Sequence, residues 1–339
     1  MRAWLLPEGC EGFNQLYLDD LPDPQGDSGP GPGEVLIAPK AWSINYRDFA
    51  VAAGKYFGGP ITQPSIPLSD GAGEVLAVGG GVTDFAPGDR VQGSFFLDWL
   101  DGPQLMGRAL GDGKAPGMLA EKVVLPASGV VKVADSLTYA EAACMPCAGV
   151  TAWNALFEGG RPAGKGSRVL VLGSGGVSLI ALALARAAGA EVIATSSSDE
   201  KLARVMALGA AHGVNYKSVP EWGAHVAKEF GGAHKVVEVG GVGTLQQSMN
   251  ALASEGEIAL IGVLADGPPP HPRQLMMTGG SIRGIFVGSV AMAKKLNKFV
   301  DAHQIKPPIG KTFSFAEAPA AYAHAWGPDS FGKTVITLD

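Results

Sequence analysis

A short glycine-rich segment, Gly173-Ser174-Gly175-Gly176-Val177, has the residue types to bind a phosphate group through its backbone. It lies between an apolar run typical of a buried strand, residues 169–172, and an Ala/Leu-rich run with strong helix propensity, residues 179–185. Small side chains let a ligand approach the backbone, and the N–H groups that open the helix carry the positive end of its dipole. The segment predicts a dinucleotide-binding strand–turn–helix unit, with a crossover that binds no ligand as the alternative.

One residue departs from the usual G-x-G-x-x-G pattern, because Ser178 stands where the third glycine would be. We expect this serine to loosen the packing of the helix on the strand slightly, while the turn itself is kept. A glycine stop at Gly189 and a second apolar strand over residues 191–195 close the βαβ unit at the expected length.

Length and composition exclude several classes of protein. The chain has 339 residues, more than one hydrophobic core usually supports, which predicts two domains. A net charge of −6 argues against binding to nucleic acid or to an anionic membrane surface. The first apolar run is too short for a signal peptide, and glycines interrupt the longest uncharged stretch, so no membrane span is expected. The three cysteines fit a reducing, cytoplasmic location, and Cys144-x-x-Cys147 is interpreted as buried inert thiols, with a redox or metal pair as the alternative.

The pattern of elements changes along the chain. Residues 1–135 show short strands between Gly and Pro turns, which predicts a β-rich domain. From Ser136, which we expect to cap a helix, strands alternate with helices up to residue 288, and this predicts a parallel, doubly wound sheet. The strands within residues 289–339 are similar to those of the first part. We therefore expect them to complete the first domain and to leave a cleft between the domains.

This order of domains resembles the medium-chain dehydrogenase/reductase superfamily, in particular its zinc-independent alcohol dehydrogenase-like and quinone oxidoreductase-like branches. The resemblance covers nearly the whole chain and implies a doubly wound α/β Rossmann domain at residues 136–288 with a β-rich GroES-like catalytic domain at residues 1–135 and 289–339. The matching segments are SINYRD at 43–48, PLSDGAGEV at 67–75, DFAPGDRV at 84–91, GVTAW at 149–153 and GSGGV at 173–177.

The same resemblance argues against zinc. Zinc-using members of the family bind the catalytic metal with a Cys, a Gly-His-Glu motif and a second Cys. Here Asn45 stands at the first Cys position, Leu68-Ser69-Asp70 replaces Gly-His-Glu, and only Cys147 keeps a ligand type. One thiolate cannot hold zinc, and residues 93–120 lack the four cysteines of a structural zinc lobe. We therefore expect no metal site.

The end of the second strand is predicted to select the cofactor. NAD-preferring relatives have an acidic residue there that binds the ribose hydroxyls, and counting from Gly173 places Ser196 at that position. Hydroxyl and basic side chains favour the 2′-phosphate of NADP(H), whereas the nearby Asp199 keeps NAD(H) open as the alternative. The side chains expected around that phosphate are Ser196, Ser197, Lys201 and Tyr216.

The resemblance also implies the remaining site residues. Asn45 and Tyr46 would line the nicotinamide side of the cleft, and Tyr46 or, secondarily, Tyr56 would donate to the substrate oxygen. Half-buried packing is the alternative for both tyrosines, and Arg47 is expected to pair with Asp48 and fix this loop. The other residues implied to contact the cofactor are Thr151, Gly173, Ser174, Gly175, Gly176, Val177, Gly262, Val263, Phe286, Val287 and Lys333. Lys333 would bind the pyrophosphate, with an exposed strand lysine as its alternative.

The residues and the resemblance together predict a zinc-independent, NADPH-dependent oxidoreductase. It would transfer hydride to a carbonyl group or to a C=C bond activated by one, in a ketone, aldehyde, enone or quinone. An NAD-linked alcohol dehydrogenase and a nucleotide-binding protein without catalytic activity are the two alternatives. The resemblance implies a homodimer paired through the nucleotide domain, and no nucleic-acid or membrane partner is expected.

Overall fold

The computed structural model describes residues 1–262 and 264–338. The strands, in chain order, are β1 (Arg2–Leu5), β2 (Tyr17–Asp20), β3 (Glu34–Ser43), β4 (Asp70–Val78), β5 (Arg90–Gly93), β6 (Val123–Pro126), β7 (Val130–Lys132), β8 (Arg168–Leu172), β9 (Glu191–Ser196), β10 (His212–Asn215), β11 (Ala233–Glu238), β12 (Leu252–Leu260), β13 (Ser281–Gly284), β14 (Ile309–Ser314) and β15 (Lys333–Thr337). The α-helices are α1 (Tyr46–Ala52), α2 (Tyr139–Ala142), α3 (Val150–Phe157), α4 (Gly176–Ala187), α5 (Asp199–Ala207), α6 (Trp222–Phe230), α7 (Val242–Asn250), α8 (Arg273–Thr278), α9 (Val290–His303) and α10 (Ala318–Trp326). Within these described ranges, none of the helices has the length and apolar character needed to cross a bilayer.

The chain divides into two compact units, Met1–Val150 with Gly288–Asp339, and Thr151–Val287. The first unit is built on a mixed sheet of strand order β14-β15-β3-β4-β5-β7, in which β6 also pairs with β3. Its core joins the two ends of the chain, since the Trp42 ring lies 5.0 Å from the Phe315 ring and Trp4 Nε1 donates to the Phe315 carbonyl at 2.8 Å. The C-terminal strands therefore belong to this unit.

The second unit is a parallel sheet of strand order β10-β9-β8-β11-β12-β13. Counted from β8, this is the 3-2-1-4-5-6 order of a doubly wound dinucleotide-binding fold. Val169, Leu170 and Val171 of β8 are fully buried, as a central strand covered on both faces requires. The predicted fold class, a doubly wound α/β domain with a β-rich GroES-like domain, is confirmed. Ligands in such sheets bind outside the carboxyl ends of the strands, where the order reverses between β8 and β11.

The structure differs from the sequence-based boundaries around residue 136. Thr138, rather than Ser136, caps the next helix, because its Oγ1 accepts from the N–H of Glu141 and the Glu141 carboxylate binds back to the Thr138 N–H. The resulting helix α2 packs on β3 and β4 of the first unit, so the first unit extends to Val150. At the other boundary the second unit ends at Val287, one residue before the predicted end of the domain at residue 288.

Candidate active site

The glycine turn after β8 provides the backbone geometry that phosphate binding needs. Gly173 adopts a left-handed φ of +75°, which a residue with a Cβ rarely tolerates, and its N–H donates to the Thr195 carbonyl at 2.9 Å. Gly175 is the N-cap of α4 and has no side-chain oxygen to cap the first-turn N–H groups, so they are available to an anion. A Cβ added at Gly173 or Gly175 would meet nothing within 4 Å, so the space beside the turn is open. Half-buried Ser174, Gly176 and Val177 complete this turn.

Ser178 ties the helix to the strand instead of loosening their packing. Its side chain is 1% exposed, and its hydroxyl donates to the Leu172 carbonyl at 2.6 Å. The bond joins the first turn of α4 to the last residue of β8. A serine can therefore replace the third glycine and keep helix α4 attached to strand β8, because its hydrogen bond substitutes for the close backbone contact that glycine allows.

The structure brings together the side chains expected to surround the 2′-phosphate. Ser196 ends β9 and is 2% exposed; its Oγ accepts from the Ser198 N–H at 3.4 Å, and its carbonyl accepts from the Tyr216 N–H at 3.0 Å. Ser198 caps α5, accepting from the Lys201 N–H at 3.3 Å. Ser197 is half-buried, so it is better placed than Ser196 to meet a ligand at the end of this strand.

Asp199 is the residue that leaves NAD(H) as an alternative cofactor, and its side chain already has a hydrogen-bond partner within the protein. Its carboxylate accepts from Asn215 Nδ2 at 2.6 Å at the surface of the second unit. This bond draws the carboxylate toward β10. It weakens the case for Asp199 as the acid that binds the ribose hydroxyls.

Gly262 has a structural reason to be glycine. A Cβ there would lie 1.5 Å from the carbonyl oxygen of Val239, the residue after β11. The close approach of two backbone segments excludes any side chain at this position. Val263, also predicted to contact the cofactor, lies outside the described residues.

Val287 is strained in the conformation that the structure gives it. A β-branched residue with φ of +55° is a backbone outlier that costs on the order of 1–3 kcal/mol. Asn154 holds it there, because its Nδ2 donates to the Val287 carbonyl at 2.8 Å and its own side chain is 4% exposed. The neighbouring Phe286 is half-buried, and Thr151, near the start of α3, is 3% exposed.

Two glycine substitutions should separate cofactor binding from folding. Gly175→Ala should keep the melting temperature within about 2 °C of wild type and weaken dinucleotide binding at least about tenfold, because its methyl group enters the open space beside the turn. Gly262→Ala should destabilise the protein by about 3 kcal/mol or more, because its Cβ collides with Val239. Calorimetry and fluorescence titration measure the two effects. Equal thermal losses in both variants would contradict this assignment.

In the first unit, Lys333 is a buried lysine and not the exposed strand lysine of the alternative interpretation. It is 3% exposed, and its ammonium donates to the Ile44 carbonyl at 2.7 Å and to Asn45 Oδ1 at 2.5 Å. Both acceptors stand at the junction of β3 and α1. Two of the three ammonium donors are used inside the unit, and the contact with a pyrophosphate stays a prediction.

Ser69 and Asp70 stand at the histidine and the glutamate of the Gly-His-Glu motif. Asp70 is fully buried; its carboxylate accepts from Ser69 Oγ at 2.7 Å and from the Cys147 N–H at 3.1 Å. Burial raises the pKa of Asp70, whereas the charge of Lys333 and hydrogen bonds from Ser69, Asn45 and Cys147 oppose that rise. These protein groups thus offset part of the cost of burying the Asp70 carboxylate.

The two thiols of the Cys144-x-x-Cys147 pair are poor nucleophiles. Burial raises the pKa of Cys144 to about 12, and burial, followed by the charge of Asp70, raises the pKa of Cys147 further above its usual range. A thiol with a raised pKa stays protonated at neutral pH. This supports the interpretation of both residues as inert thiols.

The two candidate tyrosines lie in different environments. Tyr46 is 47% exposed and its ring stacks on Trp326 at 6.0 Å, which is a packing contact at the surface. Tyr56 is half-buried, with the Arg47 guanidinium 4.7 Å from its ring centroid. Burial raises the pKa of the Tyr56 phenol, and the charge of Arg47 opposes that rise. A neutral phenol beside a cation is a hydrogen-bond donor suited to a substrate oxygen.

Arg47 pairs with Asp48 as expected, at 3.3 Å, and both side chains are buried. The same Arg47 Nη1 donates to the Leu110 carbonyl at 2.7 Å, while Nε and Nη2 find no partner among the described residues. Asp48 accepts from the Asn45 N–H at 2.8 Å and so caps α1. The pair therefore fixes the segment that carries Asn45 and leaves one edge of the guanidinium free.

Asp48 should make stability depend on pH in an unusual direction. Burial, opposed by Arg47, raises its pKa to about 6, so the folded state holds the proton more tightly than the unfolded chain does. Its stabilising contribution is fully present below about pH 4 and is lost as the pH rises through about 6. Wild type should therefore gain up to about 3 kcal/mol relative to Asp48→Asn between pH 7 and pH 4 in urea unfolding.

Asp89 is the matched control for that measurement. The Ala86 N–H and Lys132 lower its pKa, so its contribution is present at neutral pH and is lost as the pH falls. Wild type should accordingly lose stability relative to Asp89→Asn on acidification. The same sign for both variants would contradict the assignment.

Comparison with known proteins now identifies the family. A family model described as "Alcohol dehydrogenase GroES-like domain" matches residues 31–135, and one described as "Zinc-binding dehydrogenase" matches residues 176–302. A zinc-type alcohol dehydrogenase-like protein of Schizosaccharomyces pombe is 42% identical, over 99% of each chain. The chain belongs to the medium-chain dehydrogenase/reductase family.

Other members of the family are similar over the same length. The 2-methylene-furan-3-one reductase of Solanum lycopersicum is 30% identical, over 99% of this chain and 79% of that protein. A crystal structure from Sinorhizobium meliloti 1021, of a protein provisionally described as an alcohol dehydrogenase, is 38% identical and covers 100% of each chain with a TM-score of 0.87. The present chain is an NAD(P)-dependent oxidoreductase of the medium-chain dehydrogenase/reductase type.

The names of these relatives imply zinc, and the residues of this medium-chain dehydrogenase/reductase do not fit it. Among residues 1–262 and 264–338, no group of three or more His, Cys, Asp or Glu side chains is arranged around a common point. At the first Cys position the Asn45 oxygen accepts from an ammonium, and at the histidine position Ser69 has a hydroxyl that donates to the Asp70 carboxylate. Only the Cys147 thiol remains, and tetrahedral zinc needs three protein ligands or more.

Glu238 of this medium-chain dehydrogenase/reductase lies near the candidate site and was not predicted from the sequence. Glu238, fully buried at the end of β11, accepts from the N–H groups of Gly240 and Gly241 at 2.7 and 3.0 Å and from the hydroxyls of Thr244 and Ser248. It shapes the loop at the carboxyl edge of the sheet, beside the switch point of the strand order. A carboxylate that ends a buried strand just before Val-Gly-Gly was the available signal.

Proposed function

We propose that this protein is a zinc-independent, NADPH-dependent reductase that delivers hydride to a carbonyl group or to a C=C bond conjugated with one. The observation that carries the proposal is that Asn45, at the first ligand position of metal-using relatives, is not a free ligand: its Oδ1 accepts from the Lys333 ammonium at 2.5 Å. Without a metal, hydrogen-bond donors must polarise the substrate oxygen. Small-molecule ketones, aldehydes, enones and quinones are the substrates that this chemistry suits.

The hydroxyl-rich end of β9 supports NADPH over NADH. Ser197 is half-buried just after β9, and the backbone N–H groups of Lys201 and Tyr216 donate to Ser198 and Ser196. The Asp199 carboxylate accepts from Asn215 at 2.6 Å. An alcohol dehydrogenase linked to NAD remains the second candidate, because Asp199 is an acid close to this strand end that could bind ribose hydroxyls instead of a phosphate.

In this mechanism the bound dinucleotide supplies the hydride. The N–H groups that open α4 would bind its pyrophosphate, and the glycine turn would let it approach the backbone. Tyr56 donates a hydrogen bond to the substrate oxygen as negative charge develops there, and the adjacent Arg47 guanidinium stabilises that charge. Tyr46 is the alternative donor. Asn45 is held by Lys333 and acts by keeping α1 in place.

The test is a fluorescence titration with NADPH and NADH, followed by NADPH consumption with a panel of quinones, enones, aldehydes and ketones. Saturable, tighter binding of NADPH with turnover of a panel member is expected. Tighter binding of NADH with oxidation of an alcohol would favour the second candidate. Binding without any turnover would favour a non-catalytic nucleotide-binding protein.

Two further properties belong to this proposal. Strand β13 is an edge of the parallel sheet, with Ile282 exposed on it and Met276 and Met277 exposed on the nearby α8, which supports a homodimer formed through the nucleotide unit. Light scattering that finds a monomer would reject it. The three cysteines are free thiols, which supports a cytoplasmic location, and cell fractionation tests this.

A further inference from the structure

The strained backbone of Val287 is restrained by a buried amide, that of Asn154, which was not predicted from the sequence. We propose that Asn154 is a positioning residue for the bound dinucleotide: its amide keeps Val287 in the left-handed conformation in which this residue meets the cofactor. The inference rests on the proposed function, because it takes from that function a dinucleotide bound at the carboxyl edge of the parallel sheet. Asn154 acts on the cofactor through Val287.

Val287 lies where a doubly wound sheet binds its ligand. It follows β13, and the Ile285 N–H donates to the carbonyl of Leu260, the last residue of β12, at 2.8 Å. The segment is therefore at the carboxyl edge of the sheet, outside which such sheets bind ligands. The Val287 side chain is 7% exposed and its carbonyl accepts from Asn154, whereas its N–H has no acceptor within residues 1–262 and 264–338. A backbone donor without an acceptor at this edge suits a polar group of a ligand.

The conformation of Val287 needs a restraint from outside its own segment. A β-branched residue with φ of +55° is an outlier, and outliers of this kind persist only where the surrounding structure holds them. Asn154 Nδ2 supplies the restraint at 2.8 Å, from a side chain that is 4% exposed. A relaxed Val287 would cost the fold less, and strained residues cluster at ligand sites. The restraint therefore serves binding rather than folding.

Arg283 fixes the direction of the Asn154 amide. Arg283 Nη1 donates to Asn154 Oδ1 at 2.8 Å, so the amide oxygen faces the guanidinium and the amide NH₂ group faces Val287. Arg283 Nη2 donates to the Asn154 carbonyl at 2.7 Å. On its other side, Arg283 Nε lies 3.2 Å from the carboxylate of Glu257, which binds the buried Lys235 at 2.6 Å. The amide is thus anchored to the ion pairs that join β11, β12 and β13.

Asn154→Asp separates the two sides of this amide. Aspartate has nearly the same size and still accepts from Arg283, but it cannot donate to the Val287 carbonyl. Binding of NADPH, or of NADH if wild type prefers it, should weaken at least about tenfold in a fluorescence titration.

Val287→Gly is the matched background for that titration, because glycine adopts the left-handed conformation without a restraint. In this background Asn154→Asp should weaken binding less than about threefold. The loss of the buried Val287 side chain is common to both arms and cancels in the comparison. Equal losses of affinity in the two backgrounds, or no loss in either, would overturn the proposal.

Crystal structures without cofactor test the restraint itself. Val287 should have a left-handed φ in wild type and a negative φ in Asn154→Asp. A left-handed Val287 in that variant would overturn the proposal. If wild type binds neither dinucleotide, the proposed function is rejected, and these structures still decide whether Asn154 restrains Val287. Wild-type binding that Asn154→Asp does not weaken rejects the role of Asn154 and leaves the proposed function standing.

Discussion

Ser197→Asp should weaken NADPH binding about 100-fold, or about 2.8 kcal/mol, while NADH binding changes by less than about threefold. Ser197 follows β9 and is half-buried, whereas Ser196 is buried and would accept an acidic side chain only at the expense of folding. A carboxylate at the end of this strand repels the 2′-phosphate, and it can accept from the ribose hydroxyls of NADH. The substitution should therefore change the ratio of the affinities for NADPH and NADH.

Fluorescence titrations of both cofactors at one ionic strength measure this effect, because salt screens the repulsion. Ser197→Asn is the matched control, since it has nearly the same size as aspartate and no charge. It should change the NADPH affinity less than about fivefold. If Ser197→Asp weakens both cofactors equally, the end of β9 does not select between them.

Glu257→Ala should lower the free energy of unfolding by about 3–5 kcal/mol, the largest stability loss that we expect from a single charged residue of the second unit. Glu257 lies 2.6 Å from the Lys235 ammonium, whose side chain is 1% exposed, and 3.2 Å from Arg283 Nε. Removing it leaves the Lys235 charge buried without its partner. Burial already lowers the pKa of Lys235, and Glu257 opposes that shift.

The loss should extend beyond the ion pair. Arg283 also donates to the Asn154 side chain at 2.8 Å and to the Glu158 carbonyl at 2.6 Å, so it links β13 to α3. Urea unfolding is the measurement, and Glu229→Ala is the control, because the Lys228 of that pair is 83% exposed and such pairs contribute less than about 1 kcal/mol. Similar losses in both variants would show that the buried network does not stabilise the unit.

The predicted fold followed from local patterns that tertiary contacts do not override. The apolar strand before Gly173, the Ala/Leu helix after it and the glycine stop at Gly189 all agree in type with β8 and α4. The start of α2 near residue 136 was not predicted by local patterns, because Ser136 and Thr138 are both suitable N-caps. The capping box between Thr138 and Glu141 makes Thr138 the N-cap. Helix α2 packs on β3 and β4, which are far from it in the sequence. Neither Ser136 nor Thr138 indicates this packing.

The sequence by itself determined the class of the protein: a glycine turn that fits a dinucleotide, hydroxyls at the end of the next strand, and metal-ligand positions without the ligands. These follow from residue type and spacing along one strand–turn–helix unit or one motif. The tertiary structure alone decided the roles of individual side chains. Lys333 and Asn45 are 288 residues apart and meet only because β15 pairs with β3, and the burial of Lys333 makes their bond matter. Burial and long-range pairing, which set charge compensation and pKa, are properties of the folded sheet and cannot be read from spacing.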